Sequence, residues 1–202
     1  MSAARVAHLV ERHFAMQEQR PARLEDVEVA ALDPFLRGLV FTDGTVTRAL
    51  GVQTLSPVEV EVISQSMLPI SNHAAGCLEA PAKIESVQRR VMIGVGSPAA
   101  EVLWAESFLL PERLPDGFLG LLDSAADGIG QSLQQTHLES SRELLWFGLG
   151  AAPRWAPTPS HGATKALSRL YRVIHDAKPA ILIAESFAVE WRAGAYRLAA
   201  LA

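Results

Sequence analysis

Four residues occur twice in this chain, as Ala105-Glu106-Ser107-Phe108 and as Ala184-Glu185-Ser186-Phe187. Each copy closes an apolar run, Val102-Leu103-Trp104 in one case and Ile181-Leu182-Ile183 in the other. A turn precedes each run, and an Arg-Val pair, Arg90-Val91 or Arg172-Val173, precedes each turn. The repeat reads as one β-hairpin used twice, with an arginine on its first strand and a glutamate on its second. Side chains on a strand alternate between faces. Glu185 therefore shares a face with Ile181, Ile183 and Phe187, and Glu106 with Val102, Trp104, Phe108 and Leu110. Both carboxylates are expected to point the same way as the bulky apolar side chains of their strands, not toward the small ones. A charge there is costly unless it is paired, hydrogen-bonded or protonated, so the face that carries it is expected to line a pocket.

The rest of the chain supplies more strands of the same kind. Val58–Met67 alternates apolar and polar residues, Arg89–Val95 and Val102–Leu110 flank a Gly-Ser-Pro turn, Leu138–Phe147 reads as a strand, and Ala166–His175 and Pro179–Val189 form a hairpin through Asp176-Ala177. Between them the pattern predicts helices: an amphipathic one over Ala3–Gln17, a short one capped by Asp33-Pro34, another after the Asp43-Gly44 turn, one from Pro115 to about Ser124, and a piece beginning at Gln131. Glu18–Val29 reads as a polar, mobile connector, Leu68–Lys83 and Ala151–Thr164 as loops, and the tail from Ala193 as weakly helical at most. The expected architecture is α+β: a single antiparallel sheet of about six strands with helices gathered on one side. Residues 1–32 form an N-terminal helix and connector, and residues 33–202 the folded domain.

At 202 residues, 49% hydrophobic and 20% charged, the chain has the composition of one globular domain with a real core. A net charge of −4 does not provide the basic face that nucleic-acid binding needs. The single cysteine, Cys77, cannot form an internal disulfide, and it has no recognisable base partner that would make it a nucleophile. The six histidines show no HExxH or paired-ligand spacing, so no metal is expected. No apolar run approaches the ~20 residues of a membrane span, and the N-terminus does not read as a secretory signal. A cytoplasmic protein is expected.

The order of motifs resembles the chorismate pyruvate-lyase family. Gly44-Thr45-Val46-Thr47-Arg48-Ala49-Leu50 and the strand Val58–Gln65 look like its opening. The strand with Arg90, the segment Ala105–Pro111, the turn Gly128-Ile129-Gly130 and the stretch Lys178-Pro179 to Phe187 follow in the family's order. Thr136-His137-Leu138-Glu139 and the Ala-Glu-Ser segments are similar to an actinobacterial and cyanobacterial branch. The resemblance covers roughly residues 33 to 190. It implies a ligand buried under flap-like connections, and splitting of chorismate into 4-hydroxybenzoate and pyruvate without metal or organic cofactor. It further implies that Arg90 clamps the ring carboxylate, that Glu185 meets the oxygen at the far end of the ring, and that backbone groups at Val46 and Ile129 close the pocket. The enteric-type enzymes have an arginine where this chain has Glu106.

The chemistry is consistent with that assignment. Chorismate is a dianion whose ring becomes aromatic on losing a proton and its enolpyruvyl ether. A planar guanidinium grips carboxylates bidentately, and a carboxyl on an apolar face tends to be neutral and able to donate a proton. Glu185 and Arg90 are thus the expected catalytic pair. Arg89 and Arg90 face opposite sides of their strand, so only one can enter the pocket. Gly130 (through backbone groups), Arg172, Glu106 and His137 are further candidates for substrate contact. For Arg172 a structural ion pair is an equal alternative, and for His137 a structural role is favoured. Two other readings stand beside the lyase: a non-catalytic aromatic-acid sensor of the same fold, and a divergent enzyme making a related hydroxybenzoate. The sensors carry a winged-helix domain ahead of the fold, and residues 1–32 contain no helix-turn-helix.

Overall fold

The computed structural model describes residues 3–97, 99–124, 128–157 and 165–189. Its frame is one antiparallel six-stranded sheet built from β1 (Val58–Pro69), β2 (Glu85–Val95), β3 (Ala100–Leu109), β4 (Ser141–Ala151), β5 (Lys165–His175) and β6 (Lys178–Ala188), in the spatial order β1-β2-β3-β6-β5-β4. The two expected hairpins are β2–β3 and β5–β6. The second turns through Asp176 and Ala177, both in the left-handed region at φ 48° and 58°, as a two-residue loop matched to strand twist requires.

The repeated stretches lie side by side, because β3 pairs with β6 at the centre of the sheet. The register sets Ala105 opposite Glu185 and Glu106 opposite Ala184. Residues paired across a sheet share a face, so the two glutamates project from opposite faces. The reading of Glu106 as a second lining residue of the pocket that holds Glu185 fails by one residue of register. That is the smallest slip that reverses a face, and one that the sequence of a single strand does not reveal.

Helices α1 (Ala3–His13), α2 (Pro34–Phe41), α3 (Val46–Thr54), α5 (Phe118–Ser124) and α6 (Ile129–Gln135) stand with the main core, on the face carrying Ala105 and Glu185. Asp33 caps α2 by accepting from the amides of Phe35 and Leu36, with Pro34 in the first turn. The stretch expected as a loop between β1 and β2 holds a further helix, α4 (Asn72–Cys77), capped by Ser71. It is too short to show helical periodicity, and it packs Ala74, Ala75 and Cys77 against Leu170 and Leu182 on the reverse face. The expected connector is not a free strap. Residues 14–25 cover the outer edge of β4: the amides of Ala15 and Met16 donate to Leu144 and Leu145, and Glu25 exchanges two backbone bonds with Leu149 at 2.7 and 3.0 Å. Gly148 permits that approach, since a Cβ there would meet Arg20 Cδ at 2.6 Å and the Glu25 carbonyl at 3.1 Å. Such covering protects a strand edge that would otherwise expose unpaired backbone. Residues 158–164 of the expected loop and the expected tail Ala193–Ala202 lie outside the described residues.

Candidate active site

On the main face four neighbouring strands bring their alternate residues into one field. Arg89 of β2, Ser107 of β3, Ile183 of β6 and Tyr171 of β5 form one row, and Val91, Ala105, Glu185 and Arg169 form the next. With the exception of Arg169, and together with Arg142 of β4, they make the floor of a pocket roofed by Gly44–Thr47 and Gly128–Gly130. Arg89 and Glu185 stand apart on this floor, two strands and two residues from each other. Their Cα atoms are roughly 12 Å from each other, taking ~4.8 Å between strands and ~3.4 Å per residue.

Glu185 is held by two donors. Its Oε2 accepts from Arg169 Nε at 2.7 Å, and its Oε1 from the Tyr171 hydroxyl at 3.1 Å. Both oxygens act as acceptors, which differs from the neutral, proton-donating acid that the apolar face suggested. The difference is Arg169, which is fully buried and compensates the charge inside the core. Its Nη1 also donates to the carbonyls of Leu39, Val40 and Thr42 at 2.6, 3.1 and 2.7 Å. These carbonyls lie at the C-terminus of α2, where the helix dipole favours a cation. The guanidinium lies 4.8 Å from the Tyr171 ring centroid and 5.9 Å from that of Phe187, within cation–π range. Burial, reinforced by the charge of Glu185, pushes the Tyr171 phenol well above its ordinary value, so this hydroxyl keeps its proton. Arg89, 3% exposed, donates to the Gln65 side chain at 2.5 Å and to the Leu122 carbonyl at 3.4 Å. Arg142 Nη1 donates to the Asp43 carbonyl at 2.6 Å, at the base of the roof.

The roof is two helix starts facing each other. Thr45 stands at the N-cap of α3 without bonding its side chain back to the helix, so the first amides of α3 are not capped by it. Gly130, in the first turn of α6, lies against Thr45 so closely that a Cβ there would sit 2.7 Å from Thr45 Cγ2. This is why the α6 turn carries glycine at that point. The enclosed space is about 50 Å³, so α3 and α6 must part to admit an aromatic acid.

The sequence-derived candidates divide between the two faces. Glu185, Val46, Ile129 and Gly130 line the pocket. Arg90 does not: it projects from the reverse face, where its Nε donates to Glu106 at 2.8 Å and its guanidinium lies over the Trp155 ring at 5.5 Å. Arg89 lines the pocket instead, and the signal was present, since Val87, Arg89, Val91 and Ile93 are the apolar phase of β2. Glu106 is also on the reverse face, accepting from Arg90 and from Gln88 Nε2 at 2.9 Å. Arg172 ties α4 to the sheet on that same face, donating to Glu143, Glu79 and the Cys77 carbonyl. This matches its structural alternative. His137 is exposed, at φ 50° just past the C-cap of α6, with its amide on the Gln134 carbonyl. It ends the helix and does not line the pocket. Arg142, Arg169 and Tyr171 escaped notice, although Leu167, Arg169, Tyr171 and Val173 form another apolar phase with an arginine set in it. Cys77 is buried, and burial raises its thiol above the usual range against the lowering effect of Arg172. Among the described residues no group of three or more His, Cys, Asp and Glu could hold a metal, and no helix is long and apolar enough to cross a membrane.

The fold defines the class first. The chain is similar to the effector domain of PhnF from Mycobacterium smegmatis, with a TM-score of 0.55 and 12% identity, covering 74% of this chain and 91% of that one. It is similar also to a PhnF C-terminal domain, with a TM-score of 0.51 and 15% identity, covering 68% and 86% respectively. These likenesses show a shared fold. The family comes from sequence: the family described as "Chorismate pyruvate-lyase Rv2949c-like" matches residues 40–193, and the chain belongs to it. Chorismate pyruvate-lyase of Mycobacterium tuberculosis is 26% identical over 168 residues, 81% of this chain and 84% of its own length. That of Mycobacterium leprae is 27% identical over 162 residues, 79% and 77% respectively.

Proposed function

We propose that the protein is a chorismate pyruvate-lyase that eliminates pyruvate from chorismate to leave 4-hydroxybenzoate, with no metal or organic cofactor. The observation that carries this reading is that Arg89 and Glu185 line one roofed pocket, two strands apart, in a chain belonging to this family. In this reading Arg89 clamps the ring carboxylate, and the first amides of α3 with Arg142 favour the remaining anionic oxygens. Glu185, whose oxygens act as acceptors, holds the ring hydroxyl at the far end. The ring carbon loses its proton, the ring C–O bond breaks with its electron pair going to the ether oxygen, and the released enolpyruvate regains a proton as pyruvate. Aromatisation drives the step. The protein's task is orientation and exclusion of water by the closed roof.

The test is to incubate purified protein with chorismate and follow 4-hydroxybenzoate chromatographically. Product should form well above the spontaneous rate, and Arg89→Ala and Glu185→Gln should each lower kcat/KM by about a hundredfold or more, the effect of losing a charged contact in a water-excluded site. The absence of product above background would overturn the lyase. Tight binding of 4-hydroxybenzoate without turnover would instead favour the sensor reading, and 3-hydroxybenzoate would point to a divergent enzyme.

A further inference from the structure

The reverse face of the same strands carries a second cavity that the lyase reading does not use. Its floor consists of the residues between those of the active site. Where β3 sends Ala105 and Ser107 to the active site it sends Trp104 and Glu106 to the back, and where β6 sends Glu185 forward it sends Ala184 and Ser186 back. Ser168 of β5, paired with Ser186, completes a floor of small side chains. Elsewhere this face is filled with leucines such as Leu145, Leu170 and Leu182 under α4. Here small residues leave the space open, and the cavity measures about 580 Å³, within the range of small-molecule sites.

Its chemistry is that of a site for a flat anion. Trp104, Trp146 and Trp155 all line it, three of the four tryptophans in the chain. Trp104 and Trp146 are buried, and neither indole N–H has a hydrogen-bond partner among the described residues, although buried donors are nearly always satisfied. The hydroxyls of Ser168 and Ser186, both more than nine-tenths buried, bond each other at 2.8 Å and retain acceptor and donor capacity for a polar substituent. Glu106 is neutralised by Arg90, which is itself held over Trp155. The remaining charges on the lining are Arg23 and Arg154, both exposed, so the cavity as a whole is cationic and lined by aromatic rings around its small-residue floor.

We infer that this cavity is a second binding site, for a planar aromatic monocarboxylate, set back to back with the active site across one thickness of sheet. The ring lies among the tryptophans and the carboxylate meets Arg154 and Arg23. Because β3, β5 and β6 carry both floors, occupancy of one site bears on the strand positions of the other.

Benzoate is the probe, and the indole N–H resonances of the ¹⁵N-labelled protein are the reporters. Benzoate should shift the Trp104, Trp146 and Trp155 signals, and should still do so in Arg89→Ala, which disables the active-site clamp. Ser186→Leu, which fills the floor, should abolish the shifts. Arg154→Glu, an exposed change that leaves packing alone, should weaken binding about tenfold, the loss of one charge-assisted contact. The Arg154 variant decides the matter should the Ser186 variant misfold. Indole signals unmoved by millimolar benzoate, or moved in the parent but not in Arg89→Ala, would overturn the second site.

Discussion

Removing Arg169 isolates the interaction on which the active-site floor depends. In Arg169→Met the Glu185 carboxylate stays buried without its guanidinium, and the Leu39, Val40 and Thr42 carbonyls lose the donor that all three share. Breaking a buried ion pair from one side costs about 3–5 kcal/mol. Nη1 carries only two hydrogens for three carbonyls, so the backbone share corresponds to about two hydrogen bonds, or ~2 kcal/mol at about 1 kcal/mol each. The sum, roughly 5–7 kcal/mol, is comparable to the whole stability of a domain, about 5–15 kcal/mol. Arg169→Met should therefore be at the margin of folding at 25 °C. Arg169→Lys keeps the charge but not the fork, and should lose about half as much. The double variant Arg169→Met/Glu185→Leu removes both charges and should recover several kcal/mol relative to Arg169→Met alone. Urea unfolding followed by circular dichroism, with linear extrapolation, measures all three. A loss below about 1 kcal/mol in Arg169→Met, or a double variant no more stable than that single one, would refute the assignment of Arg169 as the compensating charge of the site.

Other consequences follow from the same geometry. Arg90→Ala, on the reverse face, should change the kcat/KM for chorismate by no more than a few-fold, while Arg89→Ala should lower it by about a hundredfold or more; steady-state kinetics separates them. The Tyr171 phenol is raised in the folded state, so its contribution to stability is complete below the ordinary tyrosine value of ~10 and declines as pH rises beyond it, by up to about 1.4 kcal/mol per pH unit. Tyr171→Phe should remove that part of the alkaline decline in unfolding experiments between pH 9 and 11. Gly130→Val should prop α6 off Thr45 at a cost of about 1–3 kcal/mol from overpacking, and should speed release of 4-hydroxybenzoate in stopped-flow measurements. A thiol reagent should label Cys77 slowly in the native protein and rapidly in denaturant, because the buried thiol is held protonated.

The sequence by itself determined the strands and the pairing of neighbours into hairpins. Alternation and turn residues act over a few positions, and all six strands, both hairpins and the Asp33-Pro34 helix start follow from them. It also singled out Glu185, since a carboxylate in the apolar phase of a strand is a local fact, and the order of motifs pointed to Val46, Ile129 and Gly130. What it left open was phase and partnership. Arg89 and Arg90 are adjacent and chemically identical. The apolar phase Val87, Arg89, Val91 and Ile93 favours Arg89, and the pairing of β2 with β3, which sets Arg90 against Glu106 on the reverse face, decides it. The repeated Ala-Glu-Ser-Phe looked like two equivalent glutamates until β3 and β6 came together one residue out of phase. Arg169 emerged as the partner of Glu185 only when β5 joined β6 and brought it under the end of α2, more than a hundred residues away in sequence. Cross-strand register and long-range contact are properties of the assembled sheet. A one-residue shift in register reverses a face without changing the pattern of either strand.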